Sequence, residues 1–265
     1  MKLQSITTKQ KEILKLIYQY RYLDRIQIQK ALNHKDKRRI LAWLKDLREK
    51  QYIEWIYSTD FVEKTKPAIY YLGINGMRYL KSLDEYPIEE VRKRYKDNNR
   101  SRTFVDSSLV IADCGLALNA VGSSYEFITE ADYIDPDHDY YFLAEHDILR
   151  PSLFIQKHTK TGDNNYLLEI FDATLPRYRM RRRLKAYVTY LDDGEWEGDD
   201  PAPIILLVCP SVTELIYAKR ATKKLVEDTD DEEGELRLRF TTTEILKREG
   251  VTAKIWEEGR MQYGL

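Results

Sequence analysis

The stretch YLLEIFDATLPRYRMRRRLKAY, residues 166–187, orders acidic and basic side chains in a way that could serve phosphodiester chemistry. Glu169 and Asp172 end an apolar run, and six basic residues follow within nine positions: Arg177, Arg179, Arg181, Arg182, Arg183 and Lys185. Paired carboxylates can hold Mg²⁺ against a scissile phosphate, and arginines on a helix can hold the DNA backbone. The same order also fits a strand edge followed by a solvated helix, so both interpretations stay open.

Hydrophobic periodicity predicts the elements that would position these carboxylates. A buried helix is predicted over residues 103–122, followed by a strand in SYEFITE and a strand pair in LRPSLFIQKH and NYLLEIFDAT. The helix LPRYRMRRRLKAYVTYL, the very apolar strand PAPIILLVCPS, a further helix and a last strand complete the order. This order is typical of the restriction-endonuclease-like, PD-(D/E)xK-type α/β fold. We predict such a domain over residues 101–265.

Only one of the three key groups of an active domain of this type occurs in the chain. Active members hold Pro-Asp at the start of the second strand and Glu-x-Lys on the third, where two carboxylates bind Mg²⁺ and the lysine orients water. Here Pro151 precedes Ser152, and Phe171 stands two positions after Glu169. Asp172 would face the other side of the sheet unless a bulge re-aimed it. We predict no catalytic residue, metal or cofactor; Glu169 and Asp172 are the candidates should the domain be active.

Residues 1–82 predict a helix, a short helix, a basic helix, a strand hairpin and a closing helix. Thr7 with Gln10, and Asp24 with Gln27, form the capping-box patterns that begin the first two helices. The third helix starts at Asp36 in DKRRILAWLKDLREKQ, and YIEWIY and AIYYLG flank a polar turn. This order is that of a winged helix-turn-helix, whose third helix enters the DNA major groove.

Basic residues on the third helix and the hairpin turn are the candidate DNA contacts. Arg38 and Arg39 are predicted to reach base edges, because an arginine fork matches guanine O6 and N7. Arg181 and Arg182 offer a second contact from the C-terminal half. A winged helix that binds protein, with these charges solvated, is the alternative. The predicted phosphate contacts are Lys35, Lys37, Lys45, Lys64 and Lys66.

The net charge of −1 conceals a division of charge along the chain. Residues 1–100 carry 23 Lys and Arg against 13 Asp and Glu, whereas residues 101–265 carry 20 against 31. A basic front half indicates a polyanionic partner, since phosphate neutralisation supplies most nucleic-acid affinity. Residues 83–100 balance five acids against five bases and are predicted to be a linker or an exposed helix.

Several other site and location signals are weak. The start MKLQSITTKQKEIL lacks the apolar block of a signal peptide, and we expect no membrane span and a cytoplasmic location. Cys114 and Cys209 lie in separate apolar runs and are predicted to be buried free thiols. His138 and His146 stand among acids without fixed ligand spacing, so a solvated loop is favoured over a metal site.

Nearly the whole chain resembles the replication-relaxation family, found mainly on bacterial plasmids and integrative elements. The N-terminal pattern is visible in KEILKLIYQYRYLDRIQIQKAL, RRILAWLKDLREKQYI and IYYLGINGMRYL. The family's Pro-Asp strand and Glu-x-Asp-x-x-Thr pattern occur here as Pro151-Ser152 and as EIFDAT from Glu169 to Thr174. Ser152 and Phe171 replace the family's acids. The resemblance implies a DNA-binding accessory role in plasmid replication or conjugative processing.

We therefore predict a non-enzymatic, sequence-preferring protein that binds double-stranded DNA. Candidate partners besides DNA are a relaxase, a replication initiator protein and a second copy of the chain. The alternatives are a transcriptional regulator of the same element, a metal-dependent nuclease, and a module that binds only protein.

Overall fold

A computed structural model describes residues 3–58, 65–135, 138, 140–145, 149–193, 196, 202–228 and 237–259. The chain forms two compact units, Met1–Leu116 and Ala117–Leu265. It is an α+β protein: the first unit contains a three-stranded sheet and the second a six-stranded mixed sheet. Residues 83–100, predicted to be a linker or an exposed helix, lie in the first unit, and the division between the units falls at residues 116 and 117.

The first unit alternates helices with a small antiparallel sheet in the order β1-β3-β2. The capping boxes predicted at Thr7 and Asp24 both form, so the starts of the first two helices are confirmed. The two-residue strand β1, which no sequence pattern predicts, pairs with β3. The elements are α1 Thr8–Tyr20, β1 Leu23–Asp24, α2 Arg25–Ala31, α3 Lys37–Glu49, β2 Ile53–Ile56, β3 Ile69–Leu72, α4 Ile74–Leu80, α5 Ile88–Lys93, a 3₁₀ helix Arg94–Asn99 and α6 Arg102–Val121, which continues into the second unit.

Helix α3 is amphipathic, with its apolar stripe turned inward. Ile40, Leu44 and Leu47 are buried, whereas Trp43 is only half-buried and packs edge-on against His34 with ring centres 5.1 Å apart. Buried Gln10 of α1 donates from Nε2 to Asp46 Oδ2 at 2.6 Å. This contact fixes the rotation of α3 about its own axis, and therefore which residues face solvent.

The segment 83–100 is packed rather than extended. The side chain of Asp97 is 1% exposed, and its Oδ1 lies 2.5 Å from Arg21 Nη2. The Tyr22 hydroxyl donates to the Asp97 carbonyl, and burial followed by the Asp97 charge raises the pKa of Tyr22. These contacts hold the 3₁₀ helix against the turn between α1 and β1.

Helix α4 approaches the backbone after α3 so closely that glycine is required. A Cβ on Gly76 would lie 2.2 Å from the Tyr52 carbonyl oxygen, and one on Gly73 would lie 2.6 Å from that of Gln51. The backbone N–H groups of Gly73 and Asn75 donate to Tyr52 and Gln51 at 2.9 and 3.0 Å. The contact fixes the base of the β2–β3 hairpin.

The second unit is built on the strand order β4-β5-β6-β7-β8-β9. β4, β5 and β6 are antiparallel, β6, β7 and β8 are parallel, and β9 is antiparallel to β8. Helices α9 and α10 connect the parallel strands, as parallel pairing requires. The elements are β4 Tyr125–Thr129, α7 Glu130–Tyr133, α8 Phe142–Glu145, β5 Leu153–Thr159, β6 Gly162–Ile170, α9 Arg177–Asp192, β7 Ile204–Cys209, α10 Val212–Val226, β8 Leu238–Thr242, α11 Thr243–Glu249 and β9 Glu257–Glu258.

The main core of the second unit lies between one face of this sheet and helices α9 and α10. Leu167, Leu207 and Phe240 from three neighbouring strands are fully buried, and Leu184 of α9 and Ala218 of α10 pack in the same cluster. Strand β7 is almost entirely buried, which explains its unbroken apolar sequence.

The length of α6 corrects the expectation that no stretch could span a membrane. This helix has 20 residues and a window of mean hydropathy 1.5, so it is long and apolar enough by composition. Of that window, 44% is buried within the protein. Gln27 Nε2 of α2 donates to Leu109 O at 2.9 Å and to Asp113 Oδ1 at 2.8 Å on α6. These polar contacts are those of a helix packed in the first unit.

Both cysteines are buried free thiols, which confirms the prediction. Burial raises the pKa of Cys114 and of Cys209 to about 12. The thiols are therefore protonated at neutral pH, and neither is set up as a nucleophile or metal ligand.

Replacing Gly76 with alanine should lower the free energy of unfolding by about 1–3 kcal/mol, because the new methyl group overlaps the Tyr52 carbonyl. Urea denaturation of the full chain measures the change. Arg78→Ala, at an exposed position on the same helix, is the control and should change stability by less than about 0.5 kcal/mol. Equal stability of the two variants would contradict the close approach of α4.

Candidate functional site

Glu169, the residue predicted for metal chemistry, is held in a buried ion pair. Its side chain is 10% exposed, on the face of β6 that α9 covers. Arg183 donates from Nε to Oε1 at 2.9 Å and from Nη2 to Oε2 at 2.6 Å, so the guanidinium forms a bidentate pair with the carboxylate. Tyr187, four residues further along α9, donates its hydroxyl hydrogen to Oε2. Residues four apart share a helix face, which explains why both reach one carboxylate.

The same cluster fixes the segment that precedes β5. Arg183 Nη2 also donates to the Arg150 carbonyl at 3.2 Å, and the Tyr187 hydroxyl lies 3.3 Å from the Leu149 carbonyl. The Tyr133 hydroxyl donates to the Pro151 carbonyl at 2.6 Å. The start of the second strand of the predicted nuclease-like domain is therefore anchored by α7 and α9.

The pKa shifts in this cluster favour an ionic pair with a neutral tyrosine. Burial is the largest single influence and lowers the pKa of Arg183, but the Glu169 charge and hydrogen bond, with Tyr187 and Tyr133, together outweigh it and raise the pKa. Burial, reinforced by Glu169, raises the pKa of Tyr187 well above its ordinary value. Arg183 is thus charged and Tyr187 protonated at neutral pH, so both remain donors to the carboxylate.

The residues around Glu169 do not fit a divalent cation. Its two oxygens already accept hydrogen bonds from Arg183 and Tyr187, and Arg183 supplies the positive charge that a metal ion would bring. The Ser152 hydroxyl accepts from Ile170 N at 3.3 Å, and Phe171 is buried. A divalent cation prefers several carboxylate ligands around it, and among the described residues no group of three potential ligand side chains forms here.

The other predicted carboxylate and the histidine candidates are also placed elsewhere. Asp172 Oδ1 accepts from Thr174 N at 2.7 Å and from Thr174 Oγ1 at 2.6 Å, which forms a turn ahead of α9. His138 Nδ1 accepts from Tyr140 N at 3.2 Å, whereas His146 lies outside the described residues. No group of three or more potential ligands gathers within the described part of the chain.

The six basic residues of α9 do not share one environment. Arg183 points inward, whereas the others are exposed, including Arg181 and Arg182, the predicted second DNA contact. Arg177 lies over the Tyr217 ring and 3.7 Å from Glu214. The sequence does contain a signal for Arg183, because Met180, Leu184, Tyr187 and Leu191 mark the buried stripe of the helix and position 183 falls within it.

The N-terminal end of α3 carries a compact set of exposed cations, which we call the α3 basic cluster: Lys35, Lys37, Arg38 and Arg39. Among the described residues, none of the four lies within 4 Å of a carboxylate oxygen as an ion pair. The nearby acid, Asp36, caps α3 through Oδ1, which accepts from Arg38 N at 2.8 Å. The cluster therefore keeps its charge available to solvent.

The remaining predicted contacts are more dispersed. Lys45 is exposed on α3 and lies 3.8 Å from Glu49, one turn further on. Lys66 is exposed just before β3. Lys64 lies outside the described residues. The structure thus brings four predicted residues together at the N-terminal end of α3. Lys45 lies further along the same helix, and Lys66 lies just before β3.

An exposed aromatic stack near the C-terminal end of α3 was not among the predicted contacts. The Arg48 guanidinium lies 3.7 Å from the Trp55 ring centre, and Trp55 stacks on Tyr57 at 5.2 Å with an 18° angle between the rings. Trp55 and Tyr57 are 40% and 47% exposed. Their spacing of two on a strand is the signal that places both side chains on one face.

Comparisons with known proteins add a family match. A sequence profile described as replication-relaxation matches residues 14–202, a range that includes α3, Glu169 and Arg183. A crystal structure of the adhesin competence repressor from Streptococcus pyogenes is similar at 17% identity and a TM-score of 0.23, over 44% of this chain and 81% of that chain. That similarity is too low to assign a fold. None of the curated proteins compared with the chain matches it.

Substituting Glu169 with glutamine should lower the free energy of unfolding by about 3 kcal/mol, because Arg183 would lose its counter-charge inside the protein. Chemical denaturation of the full chain provides the measurement. The matched control, Glu244→Gln on the exposed side of α11, should change stability by less than about 0.5 kcal/mol. Combining Glu169→Gln with Arg183→Met should cost less than the sum of the single changes, and strict additivity would argue against the pair.

Proposed function

Because the chain belongs to the replication-relaxation family, we propose that it is a double-stranded-DNA-binding accessory protein of a plasmid or mobile element. It acts in replication initiation or in relaxosome and conjugative processing. The observation that carries the proposal is the α3 basic cluster, four exposed cations at the end of one helix without acidic partners among the described residues. Such a cluster can exchange water and counterions for phosphate at little cost.

The first unit has the element order expected of a winged helix-turn-helix. Two capped helices precede α3, and the β2–β3 hairpin follows it in a three-stranded antiparallel sheet closed by β1. In that fold the third helix enters the major groove and the hairpin approaches neighbouring phosphates. Helix α3 is packed through Ile40, Leu44 and Leu47, so its N-terminal cations are free to face a groove.

We assign different roles to the cations of this surface. Arg38 and Arg39 read base edges, because a planar fork can donate two hydrogen bonds to one guanine. Lys35, Lys37, Lys45, Lys64 and Lys66 contact phosphates and so set position rather than sequence preference. Arg181 and Arg182 on α9 form the second contact, made by a part of the chain that is otherwise acidic overall.

The second unit is proposed to be a restriction-endonuclease-like scaffold that does not cleave DNA. Support for the scaffold comes from the β5–β6 hairpin, which leads through α9 to a strand parallel to β6. Support for the loss of cleavage comes from Arg183, which neutralises Glu169. The unit is left to bind a relaxase, a replication initiator or a second copy of the chain, in the cytoplasm. A transcriptional regulator of the same element is the alternative that shares the α3 surface.

Affinity for a cognate duplex should fall about a hundredfold or more between about 50 and 200 mM salt, because each neutralised phosphate releases counterions. Fluorescence anisotropy of a labelled duplex selected from a random pool measures this slope. A module that binds only protein would show no salt-sensitive affinity for DNA, and that result would reject the proposal.

Truncating Arg38 to alanine should weaken the cognate site by about 1–3 kcal/mol and relax sequence preference, whereas Lys37→Ala should weaken all duplexes alike. Competition binding against single-base variants of the site separates the two effects. Lys15→Ala is the control, because Lys15 is already matched by Glu85 at 2.6 Å. An equal loss on every sequence from Arg38→Ala would refute its role in base reading.

Incubation of the full chain with duplex DNA and Mg²⁺ or Mn²⁺ should give no cleavage. The reason is that the Glu169 carboxylate is buried and paired with Arg183, and no group of three potential metal ligands gathers among the described residues. Gel analysis of supercoiled and linear DNA provides the readout. Cleavage that disappears in a Glu169→Ala variant whose circular dichroism shows it to be folded, but persists in Glu244→Gln, would establish the metal-dependent nuclease instead.

A further inference from the structure

The second unit contains a cavity of about 310 Å³ on the sheet face opposite α9 and α10. The strand register places four of the lining side chains on this face of the sheet. Tyr125 pairs with Lys157 across β4 and β5, and Leu206 pairs with Arg239 across β7 and β8. The segment 251–256 forms another wall. Glu169 belongs to the opposite face of the sheet, so this cavity is separate from the ion-paired cluster.

The cavity is lined by cations that the described residues do not neutralise. Lys157, Arg239 and Lys254 line it, and none of its described lining residues is acidic. Arg239 Nε is buried and meets no hydrogen-bond partner among the residues that the structure describes. Glu258 pairs with Arg239 in strand register, yet it is exposed and forms no ion pair with it. A buried donor without an acceptor is unfavourable, so an anionic ligand would relieve the guanidinium.

Aromatic side chains also line the cavity. Tyr125, Tyr166 and Trp256 all contribute, and Lys157 Nζ lies 5.6 Å from the Tyr125 ring centre. The Trp256 indole is oriented by its Nε1 hydrogen bond to the Val251 carbonyl at 3.1 Å. Aromatic faces stack on nucleobases, and the volume lies at the small end of the roughly 300–1,000 Å³ range of ligand sites. Charge and rings together match one nucleotide.

We propose that this cavity binds a nucleoside phosphate, with the phosphate on Arg239, Lys157 and Lys254 and the base against the aromatic residues. The group is a free nucleotide or a single unpaired nucleotide of a DNA strand, because both present the same chemistry. The site is independent of the α3 basic cluster, which lies in the other unit.

Isothermal titration of the full chain with AMP, adenosine, inorganic phosphate and a 5′-phosphorylated single-stranded oligoadenylate tests the site. AMP should bind about tenfold or more tightly than adenosine or phosphate, because the base and phosphate contacts both contribute. Arg239→Gln and Lys254→Gln should each weaken AMP about tenfold. Lys247→Gln, an exposed lysine of α11 outside the cavity, is the matched control and should leave the affinity unchanged.

Lys254 is exposed, so its variant tests the site even where Arg239→Gln does not fold, and circular dichroism reports folding. Failure of the wild-type chain to bind any probe overturns the proposal, as does AMP affinity that survives Lys254→Gln. Equal affinity for AMP and phosphate overturns the nucleotide assignment. Binding of AMP alone identifies a free nucleotide, and binding of the oligonucleotide with the same sensitivity identifies a strand. Arg38→Ala should leave AMP binding intact, which separates this result from the fate of the DNA-binding proposal.

Discussion

The second unit depends on neutralising a carboxylate that its fold buries. Glu169 lies on the covered face of β6, where an uncompensated charge would cost several kcal/mol. Arg183 supplies the opposite charge and Tyr187 a hydroxyl donor, both from α9. Arg183 also donates to the Arg150 carbonyl, and the Tyr187 hydroxyl lies 3.3 Å from the Leu149 carbonyl. One electrostatic requirement therefore holds β6, α9 and the segment before β5 together.

Helical rotation decides what each basic helix does with its arginines. In α9 the buried stripe includes position 183, so that arginine is carried inward to an acid. In α3 the stripe consists of aliphatic residues, and Arg38 and Arg39 fall outside it. A run of adjacent basic residues does not by itself show this difference. Glu169 is recognisable from the sequence as the important carboxylate, whereas its arginine partner emerges only when the buried stripe of α9 is compared with the run of basic residues.

Local signals in the sequence predict much of the fold, and distant contacts account for most of what they miss. The caps at Thr7 and Asp24 are readable because a capping side chain bonds within three residues of itself. Strand β1 exists only through its pairing with β3, in which Leu23 lies opposite Tyr70, 47 positions further along the chain. Its two residues are too few to show a hydrophobic period of their own. Segment 83–100 looks polar, yet Asp97 is buried by Arg21, which no local pattern reveals.

No single substitution around Glu169 would turn the buried ion pair into a metal-binding site. Replacing Arg183 alone would leave the buried Glu169 carboxylate without a counter-charge. An acid or lysine in place of Phe171 would put a charge at a position that is 2% exposed. Each step lowers stability before any metal affinity is gained. Acquiring hydrolysis would therefore require several coordinated replacements around Glu169, because each single one leaves a buried charge without its partner.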